Sequence, residues 1–168
     1  SFPSFSYNHE LRFALLIAGT ILGSGMSSLL FQKLRQELSY VYEVATFNEF
    51  FSDSGIFGIY FSTDESRLPD ALKATRDLLD SLNFSEEEVS MAKERLRGNV
   101  VISLESNGNR MERNVKEEIC KGTRSTIPEL LKKIEDVSVE EVSRVVRSFL
   151  KPENFVLTVL GEEDNVSW

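Results

Sequence analysis

The chain has 168 residues, 41% of them hydrophobic and 27% charged, and a formal net charge of −8. That balance fits one globular domain with a buried core and excludes a disordered or low-complexity chain. The 19 Lys and Arg residues are dispersed, so nucleic acid, which demands concentrated positive charge, is not an expected partner.

The opening, Ser1-Phe2-Pro3-Ser4, has neither a basic leader nor a Met. The apolar fragment Phe2 to Phe5 suggests that a strand just upstream is missing, and hence a processed or excised piece. Asn8 is placed to cap a helix with Glu10 in its first turn, and residues 13–17 are apolar on nearly every side, the pattern of a buried helix. The apolar run 13–22 contains Gly19 and Thr20 and falls short of the roughly 20 residues that span a bilayer, so no membrane partner is expected. Gly23-Ser24-Gly25 ends the helix. Ser27 or Ser28 then caps a short one from Leu29 to about Gln36.

Residues 39–50 turn β-like, with Tyr40, Tyr42, Val44 and Thr46 expected on one face. Ser52-Asp53-Ser54-Gly55 is a turn cluster, and 56–63 reads as the second strand of an antiparallel hairpin. From there the pattern is helical. Leu68, Ala71, Leu72, Thr75, Leu79 and Leu82 form a stripe, with Pro69 in the first turn. Ser85 and Glu88 form a capping box before a long helix that bends or breaks between Glu105 and Asn109. Met111, Val115 and Ile119 continue its apolar stripe to Gly122. Thr126 opens a further helix, and Ser138 with Glu141 caps the next, which Pro152 blocks. A closing strand is expected over 155–160. Helices gathered on a small, mainly antiparallel sheet make an α+β layer fold.

Catalytic chemistry is harder to find. Zinc hydrolysis needs about three protein ligands and an open position, but His9 is the only histidine and Cys120 the only cysteine. A lone cysteine also rules out an internal disulfide and points to a reducing, cytoplasmic compartment. No nucleophile elbow or phosphate loop is present: Ser24 lies between glycines without the Gly-x-Ser-x-Gly spacing. What remains is the run Leu22-Gly23-Ser24-Gly25-Met26-Ser27-Ser28, followed by a helix bearing Arg35 and a strand bearing Tyr40 and Tyr42. A guanidinium is a fixed fork of donors able to clamp a carbonyl, and a phenol beside it can donate to an oxyanion. The alternative is that Arg35 solvates a helix end and the tyrosines fill half-buried strand positions.

This run resembles a segment of the pitrilysin-type (M16) zinc metallopeptidases, which include the mitochondrial processing peptidases. The likeness continues through Gly55-Ile56-Phe57-Gly58-Ile59-Tyr60-Phe61-Ser62-Thr63, Ala92-Lys93-Glu94-Arg95-Leu96-Arg97-Gly98, Leu104-Glu105-Ser106, Arg110-Met111 and Leu150-Lys151-Pro152-Glu153-Asn154, and so covers most of the chain. The resemblance implies the LuxS/MPP-like metallohydrolase fold, with residues 1–168 as one domain of a longer M16 polypeptide, its first strand missing. In that family two homologous halves close around a peptide, and one carries His-x-x-Glu-His and the zinc. This chain resembles a half without that motif. The resemblance therefore implies no metal ligand here, zinc in the partner half, a peptide substrate, and no cleavage by the isolated chain. It assigns catalytic roles to Arg35 and Tyr40, and substrate binding to Arg35, Tyr40 and Tyr42; plain spacing selects Tyr42 over Tyr40. The family's further Arg falls on Leu29 or Leu30, and this favours the alternative of a catalytically inactive scaffold subunit.

Overall fold

A computed structural model describes residues 1–150 and 154–161, the Phe149 side chain excepted. Three strands, β1 (Phe2–Ser4), β2 (Glu43–Phe50) and β3 (Gly55–Ser62), form an antiparallel sheet in the order β1-β3-β2. The hairpin register runs from Glu43 opposite Ser62 to Phe50 opposite Gly55, as the turn cluster predicts. The helices are α1 (Arg12–Gly23), α2 (Leu68–Asp80), α3 (Glu86–Ser103), α4 (Asn107–Lys121), α5 (Ile127–Glu135) and α6 (Val139–Phe149). This is the α+β arrangement expected.

Helix α1 is the hub. It packs on β2 and is contacted by α3, α5 and α6, which is why its apolar residues run all the way round. Leu15, Ile17 and Leu22 are fully buried, alongside Phe57, Val142, Val145 and Ile134. Small residues let helix and sheet approach. A Cβ at Gly23 would lie 2.5 Å from the Thr46 backbone nitrogen, and Thr46 Oγ1 donates to the Gly19 carbonyl at 2.8 Å.

The capping boxes at Ser85/Glu88 and Ser138/Glu141 form as read, and Thr126/Glu129 makes a third. The long helix does break, between Ser103 and Asn107. Among the described residues no helix is long and apolar enough to cross a membrane.

Four expectations change. Asn8 caps nothing: its Nδ2 donates to the Cys120 carbonyl, and α1 starts only at Arg12. The short helix after Ser28 is π-helical over Phe31–Glu37. Met111, Val115 and Ile119 face solvent, while Glu117 is the buried residue of α4. Residues 155–160 do not form a strand, although Val156 exchanges hydrogen bonds with Ser1. Pro152 lies outside the described residues.

Candidate functional site

The segment 22–42 is built around a clamp. Gly25 takes a left-handed φ of 80°, and its carbonyl accepts from Ser28 Oγ at 2.7 Å. Arg95, reaching from α3, donates to the Ser24 carbonyl and, at 2.9 Å, to Ser27 Oγ. The turn leading into the Arg35 helix is thus held by a side chain 71 residues away.

Leu30 and Leu34 anchor the next stretch in the core. The wide turn of the π-helix shows in the bond from Leu38 N to the Lys33 carbonyl at 3.1 Å. Single π turns often mark functional positions. Ser39 then takes a φ of 53°, and Tyr40 N bonds back to the Leu34 carbonyl at 2.8 Å. Strand β2 therefore begins only at Glu43. Tyr40 and Tyr42 precede it, so strand alternation does not place them on one face.

Each expected site residue keeps its own company. Arg35 is exposed, its guanidinium 5.2 Å from the centre of the Phe31 ring. Tyr40 is half-buried, with Arg67 stacked 5.6 Å from its ring, and lines a cavity of about 600 Å³ shared with Lys33, Lys73, Asp70 and Asp77. Tyr42 is exposed and donates its hydroxyl to Asp64 Oδ2 at 2.6 Å. That bond and the Asp64 charge push the Tyr42 phenol above its ordinary pKa. Asp64, Arg67 and Arg95 are thus additional members of the region. No local pattern announces them; they reach it through the tertiary fold.

On the sheet face turned away from α1, Phe47, Ile56 and Tyr60 are exposed, 44%, 39% and 50% respectively. Phe47 lies across Gly58, where an added Cβ would meet its ring. A sheet with one solvated face ordinarily shows polar residues there. An apolar, aromatic face suits an extended chain laid across it.

The donor set of the described residues does not fit a zinc ion. His9 is exposed, stacks on Phe5 at 4.1 Å and accepts from Leu11 N through Nδ1. Among the described residues no three His, Cys, Asp or Glu side chains are grouped to hold a metal.

Residues 1–96 match the family model described as the peptidase M16 inactive domain. Over 151 residues the chain is 34% identical to an uncharacterized zinc protease of Streptomyces coelicolor, covering 88% of this chain and 33% of that protein. Over 155 residues it is 37% identical to one of Mycobacterium tuberculosis, covering 90% of this chain and 35% of that protein. The chain thus spans about a third of the length of these relatives. Its fold is similar to that of an inactive peptidase domain from Bordetella parapertussis, with a TM-score of 0.72 at 18% identity, covering 91% of this chain and 85% of that one.

Proposed function

The chain belongs to the M16 peptidase family, as a domain of its inactive type, and from that premise we propose that it forms the substrate-facing wall of a peptide-hydrolysing chamber. Zinc, its water and the general base come from a His-x-x-Glu-His domain elsewhere in the polypeptide or on a partner subunit. The observation that carries this reading is the open sheet face. Its rings, Phe47 and Tyr60, offer apolar contact to an extended peptide, and no group of metal-ligating side chains occurs among the described residues.

Arg35 acts as a permanently charged fork of donors toward a substrate carbonyl. Tyr40 or Tyr42 donates to the oxyanion that develops when water adds to it. The Tyr42 hydroxyl donates its one proton to Asp64 and has to leave that bond before it can serve an oxyanion, and Arg67 stacks on the Tyr40 ring. The test is to make Arg35→Ala, Tyr40→Phe and Tyr42→Phe in the assembled enzyme and follow peptide turnover. Loss of an oxyanion donor removes about 2.7–4 kcal/mol of transition-state stabilisation, a fall in kcat of roughly 10²–10³. Full turnover in all three variants rejects the role. An assembled wild type without any turnover would point instead to a scaffold subunit.

A further inference from the structure

Tyr7, in the turn between β1 and α1, has three cations around its ring. The Arg12 guanidinium lies 4.0 Å from the ring centre, Lys121 Nζ 5.4 Å and Lys116 Nζ 6.0 Å. Arg113, Glu117 and Lys121 follow one another at four-residue spacing and so share one face of α4. Asn8 Nδ2 donates to the Cys120 carbonyl and fastens the turn to that helix. Residues far apart in sequence are thereby gathered into one charged cluster, away from Arg35, Tyr40 and Tyr42.

Glu117 is the carboxylate that the cluster shares. It lies 3.5 Å from Arg113 Nη2 and 3.8 Å from Lys121 Nζ, and its Oε2 already accepts from Ser125 N at 2.8 Å. Arg12 is 5% exposed and donates to the Tyr7 carbonyl at 2.5 Å, yet no carboxylate pairs with it among the described residues. Lys116 likewise has no ion-pair partner among the described residues. The C-terminal end of α4 adds about half a negative charge, so four cations are set against roughly one and a half. Burial, and then the charges of Arg12 and Lys133, hold Lys121 below its ordinary pKa against the pull of Glu117. Buried charge without a counter-charge is costly. Tyr7, Lys116 and Lys121 are only half-buried, so the cluster opens to solvent.

We propose that this cluster binds a phosphate group, free or as a compact monoester, with Lys116 and Lys121 meeting its oxygens at the rim and Arg12 supplying charge from below. A single carboxylate would neutralise one cation. A phosphate monoester brings a charge of about −1.5 to −2 at pH 7 and three acceptor oxygens. An extended acidic partner fits less well. The chain as a whole carries −8 and repels a long anion, whereas a compact one responds mainly to charges within about 8 Å, the screening length at physiological salt. This assignment does not depend on the role proposed for the sheet face.

The test titrates inorganic phosphate, and separately glycerol phosphate, into the chain at constant ionic strength and follows the amide chemical shifts of Tyr7, Lys116 and Lys121. Saturable shifts at these amides are expected, and the tighter of the two probes tells a free ion from an ester. Lys116→Gln should weaken binding about tenfold, the loss of one charge-assisted contact. Glu117→Gln keeps an acceptor for Ser125 N but removes the competing charge, and should tighten binding at a temperature where the variant is folded. Mere damage to the fold would weaken it instead. Arg76→Gln, which removes a cation from α2, should leave the dissociation constant unchanged. Absence of saturation by either probe up to about 20 mM overturns the site. So does equal weakening by Lys116→Gln and Arg76→Gln, which would mean a general charge effect. A melting temperature that climbs without limit and alike in every variant reports salt exclusion from the surface, and this too overturns the site.

Discussion

The phenol of Tyr42 donates to the carboxylate of Asp64, and a donor held by an anion resists losing its proton. Its pKa is raised first by that hydrogen bond, then by the Asp64 charge. For a group whose folded pKa is raised, the associated stability is fully present below the ordinary phenol value, about 10. It is lost as pH rises through the higher folded value. Asp64→Asn should therefore shift one tyrosine to a lower pH in the alkaline absorbance titration and flatten the loss of stability above pH 10. An unchanged titration would show that the pair does not persist in solution. Arg35, Tyr40 and Tyr42 stand out as candidates in the sequence because they sit in one short run. Asp64 and Arg95 were not, because each reaches that run from 22 and 71 residues away. Nothing in local periodicity reports such a contact.

Elements were most legible where the signal is local. Each capping box closes within four residues, so Ser85, Thr126 and Ser138 each mark a helix start. Strand β1 was missed because three residues carry no period, and pairing with β3 alone makes them a strand. The stripe on α4 misled because periodicity reveals a face without revealing what covers it. Met111, Val115 and Ile119 are exposed, while Glu117, 1% exposed, accepts from Ser125 N at 2.8 Å between Arg113 and Lys121. Hydropathy would rank these substitutions the wrong way round. Glu117→Ala leaves two cations without their counter-charge and should cost about 3 kcal/mol. Met111→Ser, Val115→Ser and Ile119→Ser should each stay within about 0.5 kcal/mol, all read by urea unfolding. The glycines divide in a similar way. Gly23→Ala drives a Cβ into β2 and should destabilise by about 1–3 kcal/mol. Gly98→Ala, in α3 with nothing within 4 Å of its Cβ, should stabilise by about 0.5–1 kcal/mol.

At the scale of the molecule, asymmetry between the two sheet faces governs what this domain can do alone. One face is sealed by α1, and the other presents Phe47, Ile56 and Tyr60 to solvent. An exposed apolar surface is present, but a reaction also needs a nucleophile and something to activate it. The side chains that could ligate zinc are scattered among the described residues: His9 lies against Phe5, and Cys120 is half-buried on α4. A ligand that binds only the folded state raises the melting temperature by mass action, and its removal lowers it. For the isolated chain, melting curves with zinc and with a chelator should therefore coincide, and metal analysis should find less than stoichiometric zinc. Peptide cleavage should be absent in both samples. A chelator-induced fall in melting temperature would mean that this chain assembles a metal site after all, and the division of labour between two halves would have to be abandoned. If the curves coincide, restoring the His-x-x-Glu-His domain should restore cleavage together with chelator sensitivity, because both properties then enter with the same ligands.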